Sequence, residues 1–302
     1  MKSTIRTGVL MALMTALISG VSIYLNKFAV QALPDALLFT TLKNTLVGLA
    51  LLVILAVTAR RAAMGVNRRT LWPLLTLAVV GGSAPFLLFF QGLATASAPN
   101  AALIHKSLFL WVALLAAPLL GERPGAWTMA GLGLLAAGQL LNGWPKAWGW
   151  GSGESLILLA TFLWAIETIV AKRVLSQVPA SVAAAARLAG GAAVMWAYLL
   201  GSGQAGGAFT LSPDQWLWVA LTSAFLLGYV TTWYAALKRA PATLVTSVLA
   251  LGAVITAGLS LVIEGKTVSG APALGLALMI VGAAVLLWLP SRRRLHDAAA
   301  PA

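Results

Sequence analysis

Residues 98–122 read APNAALIHKSLFLWVALLAAPLLGE, and residues 240–264 read APATLVTSVLALGAVITAGLSLVIE. Both stretches begin with an Ala-Pro pair, continue as a long apolar run and end on a glutamate. A helix that crosses a bilayer needs about 20 mostly apolar residues. The two stretches therefore predict two spanning helices at equivalent positions of a duplicated chain.

The composition of the whole chain is typical of an integral membrane protein. Of its 302 residues, 60% are hydrophobic and 9% are charged, against about 25% charged residues in an ordinary soluble domain. The formal net charge is +13, but a surface this apolar could not stay in water, so we expect a lipid bilayer and no nucleic acid as partner. With 0 Cys, disulfides and thiolate metal sites are excluded.

Charges, prolines and Gly/Ser/Asn clusters divide the chain into ten apolar stretches. We predict an all-α integral membrane protein with spans at Ile5–Lys27, Ala36–Thr58, Leu71–Thr95, Asn100–Leu120, Ala126–Leu141, Gly153–Ala171, Ala180–Leu200, Gln215–Leu237, Ala242–Ile263 and Ala271–Leu289. Most of the 20 Lys and Arg residues fall between spans on one side of this arrangement. Because basic loops stay inside, we predict that both termini are cytoplasmic.

The two halves of the chain share landmarks at a nearly constant offset. Glu122 corresponds to Glu264, Lys43 corresponds to Arg187, and the glycine pair of the fifth span recurs in the tenth. Each half, 1–143 and 144–302, holds five spans, so the second half must be inverted in the membrane. Inverted repeats with a site near the midplane are typical of secondary transporters.

These landmarks in this order resemble the drug/metabolite transporter superfamily, EamA type, over about residues 8–289. Within it the chain is most similar to aromatic amino-acid exporters. The resemblance implies a non-enzymatic inner-membrane transporter that exports small amphipathic metabolites by alternating access, without a cofactor. Family members often carry a proline in the middle of spans 4 and 9, but Leu108 and Ala250 stand there, so a proline kink is not expected.

Ionisable residues inside spans are costly in lipid and are therefore functional candidates. The hairpin between spans 6 and 7 could bring Glu167 and Arg187 together as a structural ion pair; alternatively, Glu167 carries a proton that couples transport. His105 and Lys106 break the repeat symmetry. They either contact the substrate, or Lys106 extends to the outer interface while His105 bonds a neighbouring helix. Adjacent helical positions differ by about 100°, so at most one should face a cavity squarely.

Aromatic side chains are concentrated in spans 3 and 8. Phe86 and Phe89 share one helical face, as do Tyr229 and Trp233, and Trp111 and Trp164 lie in mid-span. Such residues either pack helices together or line an apolar cavity that accepts aromatic or aliphatic side chains. Our predicted binding residues are Phe86, Phe89, His105, Lys106, Trp164, Tyr229 and Trp233.

Other functions remain as alternatives. A sugar-phosphate or nucleotide-type carrier of the same superfamily would need several cations at the midplane, whereas Lys43 and Lys106 are displaced outward. A membrane-embedded enzyme would use His105 and Glu167, which we expect at opposite depths. The sequence has no His/Glu cluster suited to a metal. Small residues at Gly131, Gly138, Gly275 and Gly282 favour close helix packing within a monomer, or a weak homodimer.

Overall fold

The structure is a computed structural model that describes residues 2–33, 35–58, 68–96, 98–143, 150–265, 267 and 270–297. We number its helices by the apolar stretch that each occupies, so that a helix with an internal break keeps one number. The helices are α1 (Lys2–Ala32), α2 (Ala36–Thr58), α3 (Arg68–Leu93), α4 (Ala98–Lys106 and Leu108–Leu120), α5 (Ala126–Gly143), α6 (Ser152–Val174), α7 (Ala180–Gly201), α8 (Pro213–Arg239), α9 (Ala242–Leu249 and Gly252–Glu264) and α10 (Ala271–Asp297). The described part of the chain contains no strand.

Eight of the described helices, all except α5 and α10, are long and apolar enough to cross a membrane. Helix α5 is continuous, but its apolar sequence is interrupted by the polar residues Gln139 and Asn142. The apolar part of α10 that can be described is the shorter run Ala271–Leu287. Over the described residues the protein is therefore all-helical, with multiple apolar helices. The count of ten spans, the inverted repeat and the boundary at residues 143 and 144 stay predictions.

Packing follows the same scheme in both halves of the chain. Helix α6 contacts α3 and α4, while α1, the first helix of the other half, contacts α8 and α9. Helix α2 contacts α7, and α5 contacts α10. Most helices of each half therefore pack mainly against helices of the other half.

Helices α4 and α9 are both broken in the middle, although neither has proline there. In α4 the amide of Ser107 is shared between the carbonyl of Leu103 at 3.2 Å and that of Ile104, three residues back, at 3.1 Å. In α9 the amide of Ala250 bonds the Ser247 carbonyl at 3.2 Å. Both helices also end alike, on a glycine in the left-handed region, Gly121 (φ 68°) and Gly265 (φ 65°). This backbone conformation suits glycine, which has no Cβ to clash.

Helix α3 departs from a regular helix in its middle, around Gly81 and Gly82. It forms a π-helical turn over Leu77–Gly81 and resumes at Ala84, after Gly82 and Ser83, so the irregular stretch contains two consecutive glycines. Helix α7 has its own π-helical turn over Ala186–Gly190. The two turns lie against each other, and a side chain at Gly82 or Gly191 would collide with backbone of the opposite helix. Such close contact places backbone polar groups of α3 beside the side chains of α7.

Helices α5 and α10 pack through the four small residues identified in the sequence. Gly138 lies against Gly275 and Met279, and Gly131 lies against Gly282 and Leu286. These glycines are used within one chain, which is the packing alternative of the sequence prediction. The weak homodimer stays a prediction.

We expect Gly138→Leu to destabilise the α5–α10 pair by about 1–3 kcal/mol, the usual cost of overpacking. A Cβ at Gly138 would lie 2.5 Å from the Gly275 carbonyl oxygen and 2.7 Å from Cγ of Met279. The free energy of unfolding in mixed micelles measures the effect. Gly133→Leu is the matched control, because a Cβ at Gly133 meets no atom within 4 Å. Equal losses for the two variants would contradict the packing role.

Candidate functional site

A cavity of about 550 Å³ lies between the two halves of the chain. Small-molecule sites typically measure about 300–1,000 Å³ and are mostly apolar with a few polar groups. The lining combines residues of α1–α4 and α6–α9 with Gln139 of α5. It reaches Leu93, at the end of α3, and Ala102, in the first part of α4, and both of these residues are exposed. The cavity therefore extends toward the end of the bundle where α4 begins.

Aromatic rings form one wall of the cavity. The rings of Phe86 and Phe89 on α3 lie 5.1 and 5.7 Å from the ring of Trp164 on α6, measured between centroids. On the other side, Tyr229 and Trp233 of α8 stack at 6.1 Å with their planes 10° apart. All five residues line the cavity, whereas Trp111 packs against Phe162 and is not among its lining residues.

His105 and Lys106 both line the cavity, and the expectation that at most one of them faces it squarely stays a prediction. The His105 ring lies 4.9 Å from the Trp164 ring and 5.1 Å from the Phe89 ring, which makes it part of the aromatic wall. Lys106 is exposed.

Glu167 and Arg187 form the charged part of the cavity. Nη1 of Arg187 lies 3.9 Å from Oε1 of Glu167, and the side chains are 12% and 2% exposed. The same carboxylate oxygen accepts a hydrogen bond of 2.7 Å from the Tyr234 hydroxyl. A buried carboxylate is costly unless it is paired with a cation and hydrogen-bonded. Here Arg187 is the cationic partner and Tyr234 donates the hydrogen bond.

The backbone carbonyl of Gly81 connects the aromatic wall with the charged groups. It accepts hydrogen bonds from Nε1 of Trp164 at 3.2 Å and from Nε of Arg187 at 3.4 Å. This carbonyl is available because α3 changes to a π-helical turn and then breaks at Gly82. The irregular backbone thus fixes the position of two side chains on α6 and α7.

The repeat partners Lys43 and Arg187 have different surroundings. Lys43 donates a hydrogen bond of 3.1 Å to Oδ1 of Asn26 and lies 4.8 Å above the centre of the Phe39 ring. It is not among the lining residues of the cavity, whereas Arg187 is. The symmetry of the sequence is therefore broken at the site itself.

One expectation about the site needs correction, and sequence reasoning missed several of the site's features. His105 and Glu167 are expected at opposite depths in the membrane, but both line one cavity. The His105 ring contacts the Trp164 ring, and Glu167 lies about one helical turn beyond Trp164 on the same helix. The two residues therefore differ in depth by about one helical turn. Sequence reasoning also missed the Gly81 carbonyl, the Tyr234–Glu167 bond and the polar lining residues Asn44 and Gln139. The only available signal was that polar residues inside apolar spans need partners.

The end of the bundle opposite to Leu93 is held together by contacts between helices. The Glu122 carboxylate, just after α4, accepts bonds from the amides of Ala242 and Thr243 at 2.6 and 3.0 Å, and so caps the first turn of α9. Nζ of Lys172, on α6, donates to the carbonyls of Leu237 and Ala240 at the end of α8, at 2.5 and 2.7 Å. We call Glu122, Lys172 and their partners the closed end.

Comparison with known proteins identifies the chain. The model of the EamA-like transporter family matches residues 6–144 and again residues 151–288. The chain belongs to the EamA-like transporter family. Among curated proteins, no match was found. A solved structure titled "Crystal structure of protein" is similar over 95% of this chain and 98% of its own, with 22% identity and a TM-score of 0.76, which shows a shared fold.

As an EamA-like transporter, the chain is a multi-pass membrane protein of the drug/metabolite transporter superfamily. The family resemblance stated from the sequence is thereby confirmed. Membership in a transporter family is consistent with a protein that is not an enzyme. The cavity between the halves is the place where a transported molecule could bind.

Proposed function

We propose that this EamA-like transporter exports small amphipathic metabolites, above all amino acids with aromatic or large apolar side chains. The observation that carries the proposal is the composition of the cavity, in which an aromatic wall adjoins a charged pair. Phe86, Phe89 and Trp164 would bury an apolar side chain, which is worth about 25 cal/mol per Å² of apolar surface. Glu167 and Arg187 offer contacts to a polar head group.

Transport would proceed by alternating access between two inverted halves. The cavity extends toward the start of α4, while the contacts of Glu122 and Lys172 hold the opposite end together. If the termini are cytoplasmic, as the basic loops predict, α4 begins on the outer side of the inner membrane. A cavity that extends toward the start of α4 is then outward-facing. The shared packing scheme of the halves supplies the two-state element, since each half could adopt the conformation of the other.

A carrier of sugar phosphates or nucleotides is less well supported. A doubly charged anion calls for several unpaired cations, but the charge of Arg187 faces Glu167 at 3.9 Å. Lys106 is then the one remaining cation among the lining residues that the structure describes. An enzyme is disfavoured because the family is one of transporters.

Overexpression should protect cells against toxic aromatic amino-acid analogues, and efflux of labelled phenylalanine from loaded vesicles should rise in parallel. Trp164→Ala should lower efflux at least about tenfold, because it removes the ring that contacts Phe86, Phe89 and His105 and a tenfold effect needs only about 1.4 kcal/mol. Phe209→Ala is the control, since that ring is 88% exposed in the turn before α8. Absence of phenylalanine efflux from the parent would refute the proposal.

A further inference from the structure

The Glu167–Arg187 pair is loose for a pair that serves only to hold helices together. The 3.9 Å between Nη1 and Oε1 exceeds hydrogen-bond distance, and the bond from Nε to the Gly81 carbonyl is long at 3.4 Å. A guanidinium carries five N–H donors in a planar fork that matches a carboxylate. Arg187 therefore retains N–H groups that can donate hydrogen bonds to a carboxylate in the cavity.

The carboxylate of Glu167 is likewise only partly used. Its Oε1 accepts from the Tyr234 hydroxyl at 2.7 Å, while Nη1 of Arg187 stays at 3.9 Å. A carboxylate has about four lone-pair positions. An ammonium group that entered the cavity would find an anionic acceptor already oriented by Tyr234.

Charge balance selects the kind of head group. Glu167 and Arg187 together are neutral, so a ligand with one positive and one negative group leaves the net charge of the site unchanged. A ligand with a carboxylate alone would add a second anion beside Glu167, and one with an amine alone would add a second cation beside Arg187. Like charges at close range repel each other, and the repulsion is stronger in apolar surroundings than in bulk water.

The Gly81 carbonyl sets the geometry between the two parts of such a ligand. It bonds both Arg187 and Trp164, so the guanidinium lies next to the ring that contacts Phe86 and Phe89. A molecule whose charged groups and apolar side chain start from one carbon atom fits this arrangement. α-Amino acids have that form.

The geometry points to Glu167 and Arg187 as the receptor for the zwitterionic head of an α-amino acid, with the substrate carboxylate on Arg187 and its ammonium on Glu167. This inference rests on the proposed transport of amino acids and deepens it. It assigns the pair to substrate selection, in place of a purely structural role. Lys106, exposed on the lining, is then not the main carboxylate contact.

The test compares phenylalanine with 3-phenylpropanoate, which lacks the ammonium, and phenethylamine, which lacks the carboxylate. Binding is measured by ligand-detected NMR on the full-length protein in nanodiscs. We expect the parent to bind phenylalanine at least about tenfold more tightly than either fragment. The double variant Glu167→Gln/Arg187→Met should bind all three within about threefold, because both charged partners are gone and no charge is left unpaired.

The outcomes separate the inference from the function on which it rests. If the parent binds phenylalanine but prefers neither the zwitterion nor a fragment, or if the double variant keeps the preference, the inference is overturned and the proposed function stands. Loss of the preference in Lys106→Met alone would also overturn it, because the carboxylate contact would then be Lys106. If the parent neither binds nor exports phenylalanine, the proposed function fails as well.

Discussion

Arg187→Met should lower the free energy of unfolding by about 3–5 kcal/mol, the usual cost of removing one partner of a buried ion pair. The loss arises because Glu167, which is 2% exposed, would lose its cationic partner and keep the Tyr234 hydroxyl. The free energy is measured by unfolding in mixed micelles with increasing SDS. In the double variant Glu167→Gln/Arg187→Met most of the loss should be recovered, because no uncompensated charge remains.

The control for this prediction is Arg239→Met. Arg239 is exposed and donates to the Ala235 carbonyl of its own helix at 2.9 Å, so we expect a change below about 1 kcal/mol. A double variant as unstable as Arg187→Met would show that the two side chains do not stabilise each other.

Glu122→Ala should open the closed end. The carboxylate accepts two amide bonds from the first turn of α9, and hydrogen bonds to a charged group contribute about 1.5–3 kcal/mol each. Since about 1.4 kcal/mol is a factor of ten in an equilibrium constant, the open population should rise at least tenfold. We expect transport to fall, because the cavity would then be accessible mainly from the closed end and would return less often to the arrangement of the parent.

Cysteine labelling measures this opening, since the chain has 0 Cys of its own. A cysteine placed at Ala171, which is 0% exposed near the closed end, should react with a membrane-impermeant maleimide much faster in Glu122→Ala than in the parent. Reaction from the cytoplasmic side alone would agree with the predicted orientation. Glu264→Ala, at the other end of α9, is the matched control and should leave the labelling rate unchanged. Equal rates in all three proteins would contradict the role of Glu122.

The helices were predictable because apolar run length is a direct physical requirement of the bilayer. The predicted span Ala36–Thr58 has the same bounds in the structure, and Ala242–Ile263 differs from α9 by one residue. The site was predictable in part, because charges and rings inside apolar spans are conspicuous, and every predicted binding residue lines the cavity. Their roles in binding stay predictions.

The remaining features of the site depend on tertiary structure and backbone geometry. The π-helical turn at Leu77–Gly81 frees a carbonyl, and no side-chain pattern announces which donors will reach it. The proximity of His105 and Glu167 depends on how α4 packs against α6, which the position of each residue within its own span does not reveal. The Tyr234–Glu167 bond joins α8 to α6, which no local spacing encodes.

The breaks in α4 and α9 differ from proline kinks in one respect that matters for motion. Proline lacks an amide hydrogen and its ring collides with the preceding turn, so the bend it makes is permanent. At Ser107 and Ala250 the amides are retained, and each bonds a carbonyl three residues back. Shifting these bonds fully to the carbonyls four residues back would restore a regular helix with no donor lost, so neither break in the wall of the cavity is made obligatory by a missing amide hydrogen.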